Sequence, residues 1–468
     1  MKRSPAWIPR IWAAGVVTLS LAAAPACNRG AHEPTGATVV QIPVAIPAPP
    51  APAVEPEGDF IGVSRLITDA IDARLLPGAV IQVGHGGKIV FRQAFGERKL
   101  PGEPGLDGAP APAEPMTEDT LFDLASLSKP IATTPAVLQL YEKGAVTLDE
   151  PVQTYLPEFN EANDPRRAQV TVRMLLTHTS GIGGDLSHQG PWGLTTADKA
   201  DGIRRALTAP LEFDPGSTFH YSDIGFIILG TLVEKITGKP LDVYVHDNVF
   251  APLRMSDTYY LPATKACGPH RIIGNAIAFD SAEVTRCATG EWSTDLLARV
   301  APTARDEDTP GVNPDFDRLV RGTVHDPTAR RMGGVAGSAG VFSTVHDIGR
   351  YAQSLLDRLA GRPSTFPLTQ STVELMTTPQ QPAAVSSGVR GLGWDIDTYQ
   401  STPRGVIFPV GSFGHTGFTG VTLWMDPGSD TYVVVLANVI HQRGGPPIAP
   451  LSGEIATAAA RALHLYGS

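Results

Sequence analysis

From Phe60 to Leu75 the apolar positions Phe60, Val63, Ile67, Ala70 and Ile71 recur on one helical face, which predicts an amphipathic helix. The next stretch, "AVIQVGHGGKIVFRQAFG", alternates apolar and polar residues around Gly86 and Gly87 and predicts a two-strand hairpin. Near the other end, "GVTLWMDPGSDTYVVVLANVI" gives two more strands around "DPGSD", and Leu451 to Leu465 reads as a closing helix. Between these ends lie two strong helices. One carries Ile224, Ile227, Ile228 and Leu232 on its face and stops at Gly238 and Pro240; the other starts at Thr344 and Asp347, spaced as a capping box. Residues 261–340 are less regular, rich in Gly, Pro and Asp, and predict long loops near a site. The pattern implies an α+β fold, with a mixed sheet built from both chain ends, covered by terminal helices and interrupted by a mostly helical insert.

Composition narrows the class. The chain has 468 residues, 42% of them hydrophobic, and can bury a large core. Its net charge of −10, without a basic block, argues against nucleic acid as a partner. "MKRSPAWIPR" followed by "IWAAGVVTLSLAAA" and "APAC" matches an export signal over residues 1–27. Two processing routes stay open: cleavage after Ala26, or lipidation of Cys27. Residues 28–58 are rich in Pro and Ala and read as an extended tether, which leaves 59–468 as the folded domain. Cys267 and Cys287 remain, and an exported chain makes a disulfide between them plausible.

The candidate chemistry sits in "LFDLASLSKPIATTPAVLQL", where Ser126 and Lys129 are three positions apart. Nine lysines and 24 serines in this chain produce about half an accidental Ser-x-x-Lys match, so the motif needs context. Pro130 is tolerated in a first helical turn, which places the helix start at about Ser126 and turns Lys129 towards the serine hydroxyl. A helix N-terminus favours a developing oxyanion, and a partly desolvated Lys129 with a lowered pKa suits proton transfer. The bland alternative is a capping serine beside a solvated lysine.

Two later stretches supply partners: "FHYSDIGF", with Tyr221 and Asp223 before a strong helix, and "FGHTGFTG", with His415, Thr416 and Gly417 on a strand. With "SLSK", "YSD" and "HTG" in this order, the chain from about Phe60 onward resembles the serine β-lactamase and penicillin-binding-protein superfamily. The likeness is to its class C β-lactamase, D-alanyl-D-alanine carboxypeptidase and esterase-like branch. The resemblance implies a β-lactamase/transpeptidase-like fold with a mainly antiparallel central sheet. It also implies roles. Ser126 attacks a carbonyl and is acylated, and Lys129 takes or relays its proton. Tyr221 is the general base, its phenolate favoured by nearby cations, and Asp223 holds Lys129. His415 assists Tyr221 or meets a substrate carboxylate, and the N–H groups of Ser126 and Phe418 form the oxyanion hole. Thr416 and Gly417 border the substrate.

Histidine at position 415, where the family usually has lysine, is a poor fixed anchor for a carboxylate and shifts weight from an efficient β-lactamase towards a carboxypeptidase-like or esterase-like hydrolase. His325 and Asp326, before a glycine-rich stretch, are further cleft candidates; His178 in "LLTHTSGI" reads as structural. No metal-binding motif stands out, and no cofactor is expected. The sequence therefore implies an exported, periplasmic or envelope-associated, monomeric serine hydrolase for a small-molecule or cell-wall-peptide-like substrate. Its contact with membrane would be only through a lipid at Cys27. A non-hydrolytic penicillin-binding or sensor protein on the same scaffold is the alternative.

Overall fold

The computed structural model describes residues 53–55, 57–279 and 287–468; the expected export segment with Cys27, and the tether up to residue 52, lie outside the described residues. Gly86 and Gly87 turn β1 (Gly78–His85) into β2 (Lys88–Lys99), both at positive φ, as a two-residue hairpin turn requires. A short β3 (Glu114–Pro115) follows. The C-terminal part adds β4 (Val389–Arg390), β5 (Asp395–Asp397), β6 (Phe413–Gly417), β7 (Val421–Asp426) and β8 (Thr431–Ala437). They form one sheet in the order β4-β5-β6-β7-β8-β1-β2-β3, antiparallel at every step. The chain ends meet where β1 pairs with β8, Ala79 opposite Ala437 and His85 opposite Thr431.

The main helices are α1 (Ile61–Asp72), α2 (Thr134–Glu142), α3 (Asp223–Thr237), α4 (Val345–Leu359) and α5 (Ile448–Ala462). Strand alternation divides the sheet between two cores. Ile81, Val83, Val433 and Val435 face one way and pack with Val63 and Ile67 of α1 and Ile455 and Ala459 of α5. Val80, Val434, Leu436 and Leu423 face the other way, into the core of α2, α3 and α4. Ser222 caps α3 by accepting from Gly225 N at 3.0 Å, and Gly238, at φ 66°, ends it. Thr344 caps α4 through Asp347 N.

The stretch that holds Ser126 differs from the single helix expected there. A 3-10 turn over Ala125–Leu127 leads into a wide π turn over Lys129–Thr133, and α2 begins only at Thr134. Pro130 and Pro135 each remove a backbone donor that an α-helix would direct four residues back, so a regular helix through this segment would leave carbonyls unpaired. The described residues of 261–340 are mostly irregular, as expected, with the Cys267–Cys287 disulfide joining Cα atoms 5.4 Å apart. The buried ion pairs Arg330–Asp306 and Arg331–Asp308 tie the same region down.

Candidate active site

Ala125, at φ 43°, places Ser126 on a sharp turn after the short strand Phe122–Asp123. The buried Asp123 fixes that turn: one carboxylate oxygen accepts from Ala125 N at 2.9 Å and the other from His325 N at 2.7 Å. Burial raises the Asp123 pKa to about 6 in spite of both N–H groups. From the opposite side, Thr419 Oγ1 donates to Asp123 O at 2.6 Å, and Gly417 lies so close to the Leu124 carbonyl that a Cβ would overlap it. The glycine of "HTG" is thus what lets β6 approach the Ser126 turn.

Lys129 is fully buried, and its ammonium donates to Ser126 Oγ at 2.9 Å, to Ser338 O at 3.0 Å and to the Asp223 carboxylate. Burial alone would lower its pKa; the charge of Asp223 and its hydrogen bond to the ammonium outweigh burial, and the pKa is raised. This reverses the expected downward shift, and the reason is the aspartate in "YSD". Lys129 in this state is a proton donor to Ser126. Tyr221 stacks on His178, with centroids 4.3 Å apart, and lies under Lys129 Nζ at 5.0 Å from its ring. Its buried Oη lies beside Lys129 and Ser126, both of which favour its ionised form. Burial raises its pKa, partly offset by Lys129, so the phenol is the resting form and the expected phenolate is not. His178 has a backbone φ of 56° and accepts from Ser222 N at 3.0 Å, which fixes the ring beneath Tyr221.

His415 is buried, its Nδ1 2.7 Å from Thr416 O and its Nε2 unpartnered. Burial, then the charges of Arg390 and Lys129, hold its pKa well below the usual value. It is neutral, which removes the expected meeting with a substrate carboxylate as an ion pair. Ser126, Tyr221, Asp223, Thr416 and Phe418 line one cavity of about 520 Å³, together with His325 and Asp326. Gly417 does not line this cavity; it faces the Leu124 carbonyl instead. Phe418 is exposed and stacks on His325, centroids 6.0 Å apart.

Sequence reasoning missed Asp185, His188 and Gln400 on the same wall. Asp185 follows the glycines of "GIGGD", in a loop where periodicity says nothing about direction. Burial and the neighbouring Asp223 raise its pKa to about 7, and burial with Asp223 raises Asp326 to about 6. His325 falls to about 4, through burial and then Arg330. The wall carries carboxyl groups and neither lysine nor arginine. Among the described residues no cluster of three or more His, Cys, Asp or Glu is arranged to hold a metal.

The family model described as Beta-lactamase matches residues 63–446. The chain belongs to the beta-lactamase family. Within this family it is 30% identical, over 397 residues, to an Escherichia coli O157:H7 protein called "Putative D-alanyl-D-alanine carboxypeptidase", covering 82% of this chain and 83% of that one. It is 31% identical over 374 residues to the N-acetylmuramyl-L-alanine amidase of Bacillus subtilis, covering 78% of each. Simvastatin synthase (LovD) from Aspergillus terreus shares the fold at a TM-score of 0.61 and 23% identity, over 86% of this chain and 98% of that one. The beta-lactamase-family fold accounts for the antiparallel sheet flanked by helices, and the chain is a hydrolase of that family.

Proposed function

We propose that this hydrolase is exported, forms an acyl-enzyme on Ser126 and cleaves a peptide-like amide, β-lactam or ester bond. The observation that carries the reading is the contact of Ser126 Oγ with the Lys129 ammonium at 2.9 Å, on the wall of a cavity that also holds Tyr221. Tyr221, once it has lost its proton to solvent, takes the proton of Ser126 as Oγ attacks the carbonyl carbon. The N–H groups of Ser126 and Phe418 receive the developing oxyanion, a contribution of about 3 to 4 kcal/mol per donor. Tyr221 then gives the proton to the leaving nitrogen or oxygen, and the same sequence with water releases the acyl group. Lys129, kept charged by Asp223, stabilises the negative charge that passes between Ser126 and Tyr221.

The carboxyl groups of Asp185, Asp223 and Asp326 on the cavity wall disfavour a free substrate carboxylate and support a neutral amide or ester as substrate. An amide within a cell-wall-like peptide or glycopeptide satisfies this best. A parallel screen of nitrocefin, a D-Ala-D-Ala peptide, N-acetylmuramyl-L-alanine and short-chain nitrophenyl esters, with Ser126→Ala as control, tests the reading. Turnover of the amide or ester, with a transient adduct on Ser126 by intact mass, supports it. A stable adduct without turnover selects the binding or sensor alternative, and labelling that persists in Ser126→Ala overturns the nucleophile. Membrane association that survives Cys27→Ser excludes the lipid anchor.

A further inference from the structure

The proposed acylation requires Tyr221 to ionise in a place where burial opposes it. The obvious cations meet that need only in part. Lys129 favours the phenolate but is shared with Asp223, Ser126 and Ser338, and His178 and His415, the rings on either side of Tyr221, are both neutral. A fourth group stands behind these rings. Arg390, at the end of β4, is fully buried and packs its guanidinium over Phe219, with Cζ 5.4 Å from the ring centroid. Phe219 and Tyr221 both pack against His178.

Arg390 is poorly compensated. Its one side-chain hydrogen bond, to Gly393 O, is long at 3.5 Å, and Nε and Nη1 have no partner among the described residues. Asp395 is its register partner on β5; that carboxylate accepts from Thr398 Oγ1 and Ser401 Oγ, each at 3.0 Å, and acts on Arg390 through its charge without a direct hydrogen bond. Tyr399 and the rings of Phe219, Tyr221, His178 and His415 complete its surroundings. A guanidinium does not deprotonate in proteins. A buried, unpaired charge of this kind is costly and persists where it has work to do. Its field lowers both histidines, second only to burial in each, and a field that disfavours imidazolium favours phenolate.

We propose that Arg390 is a positioning residue for the reaction: a guanidinium without an ion-pair contact, behind the Phe219–His178–Tyr221–His415 cluster, that adds to Lys129 a second fixed positive charge against which Tyr221 ionises. This rests on the acyl-enzyme at Ser126, and the test separates the two. The pH dependence of acylation by a nitrophenyl ester is measured for the native protein, Arg390→Gln and Arg390→Lys, with thermal melts to establish folding and intact mass to count adducts. Removing the charge should move the midpoint of the rising limb up by about one pH unit or more and lower the rate at neutral pH about tenfold, with the alkaline plateau recovered. Arg390→Lys should keep the native midpoint within about half a unit. A merely structural arginine would lower the rate equally at every pH. A folded Arg390→Gln with the native midpoint, or an Arg390→Lys that shifts by a full unit, overturns the proposal. If Arg390→Gln does not fold, Arg390→Lys decides alone, by the same criterion. Failure of the native protein to form any adduct on Ser126 would instead overturn the acyl-enzyme reading.

Discussion

Beneath α1 and α5 the sheet buries Ala79, Ile81 and Val83 against Val433, Val435 and Ala437, and the helices add Val63, Ile67, Ile455 and Ala459. At the end of β6 the same sheet meets a different neighbourhood: Asp123, Lys129, His178, Arg390 and His415 are all buried within or behind one cavity wall. The first region is held by removing apolar area from water, roughly 25 cal/mol per Å², and tolerates any residue of suitable size. The second buries charge and strains the backbone at Ala125 and His178, costs that the rest of the fold has to offset. Stability and chemistry are thus placed in separate layers, and substitutions should separate them too.

The largest separation should come from Lys129→Met. It removes the donor to Ser126 and leaves the Asp223 carboxylate without its ion-pair partner. Acylation, read as adduct formation in stopped-flow or mass spectrometry, should fall on the order of 10⁴-fold. A loss under tenfold would break the assignment. Ile67→Ala is the counterpart in the other layer. The side chain is fully buried under the sheet, so unfolding by urea should show a loss of about 3 kcal/mol, with acylation of the folded fraction unchanged.

Gly417→Ala tests the seam between the layers. Its Cβ would meet the Leu124 carbonyl and Val421 Cγ2, and backbone cannot yield as a flexible side chain does. The nucleophile turn and β6 must then move apart, with a loss of acylation of about 100-fold. The melting temperature should change far less than in Ile67→Ala. Equal damage to both would mean that the seam is part of the fold's foundation.

The same division explains how much was legible in the sequence. The helices at 61–72 and 223–237, both hairpins and the caps at Gly238 and Thr344 follow from periodicity and local chemistry, because one face or one turn decides each of them. Ser126, Lys129, Tyr221 and Asp223 were legible through spaced motifs, and the structure brings them together. What could not be read was protonation and depth. That the charge of Asp223 favours a protonated Lys129 follows from the motif, but the full burial of both Lys129 and His415 and the role of Asp123 as a clamp depend on three-dimensional neighbours. The π turn needed the joint effect of Pro130 and Pro135, and Arg390 sits in a two-residue strand too short for any pattern.

The smallest expected effect belongs to Asp185, at the cavity mouth. Its pKa, raised to about 7 by burial and by Asp223, lies above the unfolded value of about 3.9. Between these values the folded protein holds a proton that the unfolded chain has released. Stability from this group is therefore fully present below about pH 4 and is lost as pH rises towards 7. The carboxyl faces the cavity wall and Asp223 while the residue as a whole is open to solvent, so screening should keep the change under about 1 kcal/mol. Asp185→Asn keeps a donor for Asp223 at every pH, so its urea midpoint should fall less than the native one between pH 4.5 and pH 7.5. If the two proteins lose stability in parallel, Asp185 does not share a proton with Asp223, and the carboxyl groups of the wall act independently. If the native protein alone loses stability, the wall disfavours negative charge, as the choice of a neutral substrate requires.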